Sequence, residues 1–389
     1  MTVSVRAGGG RAGTHVPAPV VPRYGEATLA ELFPSVLAAL GVPGERNVLR
    51  LATADRGCVL LVDGLGRALL RAYADEAPYL ASLRDATPIT SCAPSTTPTS
   101  ITSFGTGLAP GSHGVLGFKV RVPGELRLLN HLHWSDRIDP VTWQPHPTVF
   151  GRATAAGLPA FSVGPEAFRT SGLTVAASRG ASYVAAETAR ELADAAGAAL
   201  ARVRRGVAYA YWSAVDVNGH VHGVGSDQWR AAVRDVDGLV RRLVERLPPE
   251  TSLWVTADHG MVDVPEEGKI DAEVVPALAD DVVLLGGEPR FRHVYARGGA
   301  AGDVLAAWRE ELAGRAWVVS RDEAIAGGWF GPAVDRALLP RVGDVLAAAY
   351  GTTAIVAPRG EPQTAALVGY HGSLTRAELE IPLKEVRVP

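Results

Sequence analysis

Six residues able to bind a metal stand just beyond apolar runs or in short polar turns. Asp63 closes "CVLLVDG" (58–64), Asp216 and His220 lie in "VAYAYWSAVDVNGH" (207–220), and Asp258 and His259 lie in "TSLWVTADHGM" (251–261). His371 follows much later, in "GYHGS". The set contains carboxylates and imidazoles and no thiolate, which suits borderline and hard divalent ions such as zinc, manganese or magnesium. Three Asp and three His are too many for one four-coordinate ion and about right for two.

Two adjacent cations call for a nucleophile between them. The stretch "SCAPSTTPTSITSFGTGLAPGSHG" (91–114) is dense in hydroxyls, and Thr97 stands directly before Pro98 in a helix-like segment. Pro suits the first helical turn, where its missing N–H would have no partner. The free N–H groups and the dipole of that turn favour an anion, and a metal lowers the pKa of an oxygen it binds. Plainer roles exist for each residue. A strand-end Asp, or Thr97 itself, could simply cap a helix, and His113 and His222 read as structural or supporting. The joint occurrence and order of these residues favour chemistry.

Something must hold these residues together. The runs at 58–64, 207–220 and 251–261 suit strands buried on both faces of a parallel sheet. Helical spacing appears in "TLAELFPSVLAALG" (28–41), in "LGRALLRAYADEAPYLASL", and over 186–205 and 227–247. Such alternation predicts an α/β sandwich, with a central, mostly parallel sheet and helices on both faces. Ligands in such sheets gather beyond the carboxyl ends of the strands, where Asp63, Asp216 and Asp258 fall. The expected organisation is a Gly/Ala/Pro leader over 1–27, a catalytic core over 28–289 and 359–389, and a small α+β insertion over 290–358. That insertion is expected to lie over the site as a lid.

Bulk properties narrow the function classes. The chain has 389 residues, is 47% hydrophobic and 20% charged, and carries a net charge of -3. This argues for one large core and against a nucleic-acid polymer or an anionic membrane surface as partner. No apolar run approaches the roughly 20 residues that span a bilayer. The leader has no long apolar segment of the secretory kind, so the expectation is a cytoplasmic protein. Two cysteines, Cys58 and Cys92, make no disulfide framework. The sequence carries no signal for oligomeric state.

The ordered series "VDGLG", "PSTTPTSITSFGTGLAPGSHG", "DVNGHVHG", "TADHGM" and "GYHGS" resembles the alkaline phosphatase superfamily. More closely, it resembles the nucleotide pyrophosphatase/phosphodiesterase (type I phosphodiesterase) branch, over roughly residues 55 to 376. The resemblance implies Thr97 as nucleophile. It implies Asp63, Thr97, Asp258 and His259 around one metal, and Asp216, His220 and His371 around the other. It further implies two zinc ions, with manganese as the second choice, an alkaline-phosphatase-like sandwich, and a phosphothreonine intermediate formed on a small phosphate ester or nucleotide. One departure stands out. Animal-type members have Phe-Pro-Asn after the nucleophile, where this chain has Pro98-Thr99-Ser100. Ser100 thus replaces an Asn that would donate to phosphate, and Ser100 and Lys119 are the candidate substrate-binding residues.

A phosphomonoesterase or phosphonate hydrolase on the same site is the main alternative. The extra charge of such substrates usually needs a cationic partner, for which Lys119 and Arg121 are candidates. "CAPST" (92–96) nearly spells a sulfatase signature, but Thr96 stands where that signature has Arg. A phosphomutase would need a large inserted domain between Thr97 and Asp216, and a catalytically inactive binding module would not need the full set of ligands.

Overall fold

The computed structural model describes residues 17–135 and 137–389. Its principal strands are β1 (Arg56–Val62), β2 (Ala160–Gly164), β3 (Ser182–Ala185), β4 (Gly206–Trp212), β5 (Thr251–Thr256), β6 (Val282–Glu288), β7 (Phe291–Ala296), β8 (Ala316–Ser320), β9 (Val345–Ala349) and β10 (Leu383–Arg387). The main sheet has seven strands. From one edge they run Arg84–Asp85, β10, β5, β1, β4, β2 and β3. The five strands from β5 to β3 are parallel, β10 runs antiparallel to β5, and the short edge strand runs antiparallel to β10.

Sequence pattern explains the centre of this sheet. From Gly57 to Val62, β1 is buried at every position, and β5 is buried throughout. Strands flanked on both sides and covered on both faces need apolar residues without alternation. At Gly57 an added Cβ would meet Val36 and Leu40 of helix α1 (Leu29–Ala39), so that helix lies close against β1. Thr28 and Glu31 cap α1 reciprocally. Helix α2 (Thr97–Thr106) packs on α1 and ends at Gly107 in the left-handed region, φ 71°. The long amphipathic helix α5 (Asp227–Arg246) packs on α3 (Ala189–Ala201), which in turn covers β4 and β2. Between them, α4 (Ala214–His222) leaves the end of β4.

A second, antiparallel sheet has the order β6-β7-β9-β8, with helix α6 (Ala301–Glu311) beside it. It starts at Val282, ahead of residue 290, because β6 pairs with β7 across a tight turn. Of the leader expected over 1–27, residues 1–16 lie outside the described residues. Residues 17–27 are tied to the body: Val20 N–H donates to the Leu374 carbonyl, Pro17 accepts from the Trp317 indole, and the Tyr24 hydroxyl donates to Trp329. Among the described residues, no helix is long and apolar enough to cross a membrane.

Candidate active site

Three adjacent strands, β5, β1 and β4, end at the same edge, and each hands over an acid. Asp63 follows β1 directly, and its N–H donates to the Trp212 carbonyl at the end of β4. Asp258 lies just past β5 and accepts from the N–H groups of Gly64 (3.2 Å) and His259 (3.0 Å). Asp216 lies in the first turn of α4. Gly64 sits at φ 76°, and a Cβ there would come within 3.0 Å of Asp216, so only glycine lets the chain turn this close. His220 is one turn further along α4. His371 comes in on the short strand Gly369–Tyr370, which pairs with Val262–Asp263 just beyond Asp258 and His259.

The side chains converge. Ligand atoms of Asp216, His220 and His371 lie within 4.8 Å of one another, as do those of Asp63, Asp216 and His259. His259 Nε2 lies 3.4 Å from both Asp63 and Asp258 carboxylate oxygens. Thr97, the first residue of α2, brings Oγ1 to 3.2 Å from His259 Nε2 and 3.4–3.5 Å from the Asp63 oxygens. All six ligand candidates and Thr97 are therefore at one place, with Asp216 common to both groups.

Three features of this cluster fit divalent cations. The first is the direction of the imidazole lone pairs. His220 Nδ1 sits 2.7 Å from the Gly369 carbonyl and His371 Nδ1 2.9 Å from the Ser95 carbonyl. Only an N–H satisfies a carbonyl, so each neutral ring carries its lone pair on Nε2. Those two Nε2 atoms face each other at 3.2 Å. His259 is fixed in the same way by the Gly260 carbonyl at 3.1 Å. A shared cation resolves such a clash and uses the orientation the carbonyls impose. The second is unmet acceptors: Asp216 Oδ1 and Asp258 Oδ2 are buried without a hydrogen-bond partner. The third is charge. Burial pushes Asp216 up to about 7, and burial followed by its neighbour Asp258 pushes Asp63 well above the carboxylate range. Asp258 is raised by burial and then by Asp216. Burial holds His259 down to about 3 and His371 well below its usual value. Without a cation this burial favours the protonated acids and the neutral imidazoles.

Beside this cluster opens a cavity of about 340 Å³. Asp63, Thr97 and Asp216 form its floor, and the walls come from residues 132–217, including Leu132, Phe168, Tyr183, Tyr211 and Val217. Among the described residues, no lysine or arginine lines it, and none of the lining comes from 290–358, where the lid was expected.

Other sequence-based candidates lie elsewhere. Ser100 is fully buried on α2, with Oγ 2.8 Å from Ser91 Oγ, and does not line the cavity. Lys119 gives its ammonium to Glu361 at 3.0 Å, away from the site. Arg121 stacks on Tyr295. His113 is buried and bonded to Ser103 and to the Val115 N–H, while His222 is exposed. Cys92 is buried against Thr28, with its thiol pushed up to about 12, so it offers no sulfatase-type nucleophile. Among the aromatic side chains, Phe168 lines the cavity, Phe104 and Trp143 belong to the core, and Trp134 packs by Gly172. Sequence reasoning missed Tyr211, whose hydroxyl donates to Asp63 Oδ2. The alternation in "YAYW" carried the signal, because it puts Tyr209 and Tyr211 on one face of β4.

This constellation can be compared with known proteins. The profile of the type I phosphodiesterase / nucleotide pyrophosphatase family matches residues 58–374. The chain belongs to this family. Searched against curated proteins, its sequence matches none. The fold is similar to that of murine ectonucleotide pyrophosphatase/phosphodiesterase 5, at TM-score 0.64 and 17% identity, covering 84% of this chain and 87% of that one. An inactive variant of that mouse protein in complex with AMP gives TM-score 0.66 at 17% identity, with 85% and 87% covered. Phosphonoacetate hydrolase from Sinorhizobium meliloti 1021 in complex with phosphonoformate gives TM-score 0.66 at 19% identity, with 86% and 91% covered. The family comprises metal-dependent hydrolases of phosphoric esters, and this member carries its cluster of candidate metal ligands at the end of the main sheet.

Proposed function

We propose that this protein is a two-metal phosphodiesterase in which Thr97 is the nucleophile. The supporting observation is the cavity beside Thr97, which is walled mainly by apolar and aromatic side chains, with His133 and several serine and threonine hydroxyls, and among the described residues has no lysine or arginine to meet a second anion. A diester presents one phosphoryl charge and an uncharged organic group on each side. A monoester carries an extra charge, and phosphonoacetate carries a carboxylate. Each of those would call for a permanent cationic partner, and among the described residues the lining offers only His133 and no lysine or arginine. The mouth favours an apolar or aromatic group as well. Leu132, Phe168 and Val217 are exposed on it, and Val221 is exposed one turn beyond Val217 on α4.

Asp63, Asp258 and His259, with Thr97, would hold one divalent ion, and Asp216, His220 and His371 the other. Asp216 is close enough to serve both. Zinc fits the donors best and manganese next. When bound, such ions supply Lewis-acid stabilisation of the alkoxide and of the phosphoryl oxygens. Thr97 Oγ1 forms a bond to phosphorus as the bond to the leaving oxygen breaks, and the hydroxyl proton reaches the leaving group by way of water. Water then attacks the phosphothreonine, the phosphorus–Oγ1 bond breaks, and the Thr97 hydroxyl regains a proton. Tyr211 holds Asp63 by its hydrogen bond and forms part of the wall against which the ester group lies.

The test is a panel of an aryl diester, the matching aryl monoester, a dinucleotide and phosphonoacetate, compared by kcat/KM with zinc or manganese supplied. The expected order puts the diesters at least tenfold above the monoester, with phosphonoacetate inert. A higher value for the monoester or for phosphonoacetate would refute the diesterase assignment.

A further inference from the structure

Glu288 belongs to the second sheet, at the turn from β6 into β7, yet its carboxyl lies among the residues of the site. Its Oε2 is 3.7 Å from Nδ1 of His371, and the Thr96 side chain lies beside it. Gly372 packs so tightly on it that an added Cβ would stand 2.7 Å from the Glu288 carboxyl carbon. The side chain is buried, 6% exposed, and Oε1 has no partner.

Burying an acid without a cationic partner costs stability, and among the described residues no cation pairs directly with Glu288; Arg292 acts on it only at a distance. Arg290 makes a two-pronged pair with Glu378, at 2.7 and 3.0 Å. Arg292 donates to Glu361 at 2.9 Å and to the Ile355 carbonyl. The groups facing Glu288 are instead a candidate metal ligand and the residue that precedes the candidate nucleophile. Thr96 is the N-cap residue of α2, but its side chain makes no capping bond and lies beside Glu288 instead.

We infer that Glu288 is a positioning residue that ties the second sheet to the active site by fixing His371 and the Thr96–Thr97 segment. The inference rests on the metal-site reading above. A cation on Nε2 draws positive charge through the imidazole toward Nδ1. A carboxylate placed there balances that charge and raises the basicity of the ligand, as outer carboxylates do for metal-bound histidines. Ser95 already takes the Nδ1 proton at 2.9 Å, so Glu288 acts across the 3.7 Å gap through its charge.

The experiment uses the full chain, stripped of metal and then titrated with zinc against a chromophoric chelator. Urea stability of the metal-free protein and steady-state kinetics with an aryl diester accompany it. Glu288→Gln keeps an oxygen for Thr96 and removes the charge. Its zinc affinity is expected to fall about tenfold or more, the usual effect of losing such a partner. KM should stay unchanged, kcat should return when zinc is raised, and the metal-free protein should be as stable as the wild type or more so. Glu288→Ala also removes the Thr96 contact, so excess zinc should restore kcat only in part. Wild-type zinc affinity in Glu288→Gln would overturn the inference while leaving the diesterase assignment standing. A drop in metal-free stability with unchanged affinity would reduce Glu288 to a packing role and overturn it equally. A wild-type protein that binds no zinc would overturn both.

Discussion

Replacing Thr97 with Ala separates a nucleophile from a helix cap. The cap position of α2 is Thr96, and the Thr97 hydroxyl makes no capping bond. Its neighbours are His259 Nε2 at 3.2 Å and the Asp63 carboxylate at 3.4–3.5 Å, so the oxygen points into the ligand cluster. Removing it leaves a small void at a buried position and should cost ~1 kcal/mol of stability or less. The six Asp and His candidates remain, so most of the metal should remain. Turnover should fall by about 10³-fold or more. At about 1.4 kcal/mol per decade, that is ~4 kcal/mol of lost transition-state stabilisation. Thr97→Ser keeps the oxygen and should stay within about tenfold of wild type. Thr99→Ala is the control, because Thr99 Oγ1 is buried without a partner and its loss strands nothing. The assay is steady-state hydrolysis of an aryl diester, with metal content and urea stability measured on each variant. Near wild-type turnover by a folded, metal-loaded Thr97→Ala protein would refute the nucleophile and the mechanism built on it.

Asp216→Asn should lower bound metal more than any other single ligand change, because Asp216 alone belongs to both groups. Elemental analysis showing two ions per chain in that variant would contradict the shared role. Phe168→Ala and Val217→Ser should raise KM for a diester with a bulky apolar ester group and leave a small dimethyl-type diester unaffected, as read from KM ratios. Acid stability follows from histidines outside the cluster. Burial holds His113 and His293 down to about 3 and His131 to about 4. Their folded pKa values lie below the unfolded value near 6.5, so the unfolded chain binds protons first as pH falls. Their contribution is present above pH 6.5 and is lost between about 6.5 and 3, by up to ~1.4 kcal/mol per pH unit for each histidine. Urea unfolding from pH 7 to 4 checks this, and a flat profile would show these rings are not buried neutral.

The parts of the site that were legible in sequence are those that the sheet dictates. Largely apolar runs marked β1, β4 and β5 because central parallel strands are covered on both faces, and the acid after each run falls at the ligand-binding edge. His371 was different. Nothing in its local pattern marks a strand end, so its residue type made it a candidate ligand and the resemblance alone assigned it to a metal. Ser100 and Lys119 failed for identifiable reasons. Ser100 lies on a part of α2 buried against Ser91. The charge of Lys119 is taken by Glu361, a partner remote in sequence. The cavity walls draw on stretches from 132 to 217 that mix polar and apolar residues without period, so no window of sequence reveals them. Glu288 is similarly silent in "LLGGEPR", because its position depends on how the second sheet meets the first.

The same burial that makes the site costly makes it specific. Asp63, Asp216 and Asp258 are almost completely inaccessible, and in the absence of a cation their environment favours the protonated forms. A cation must displace those protons, so its apparent affinity rises with pH as the acids become easier to ionise. The fold can carry such a cluster because its main hydrophobic core runs beneath it. Helices α1, α3 and α5 and the inner strands form one continuous apolar cluster. Stability and chemistry thus reside in adjacent layers. The sheet holds the strand ends rigid, and the donors can remain unsatisfied until metal and substrate arrive, as expected where preorganised groups await a charge.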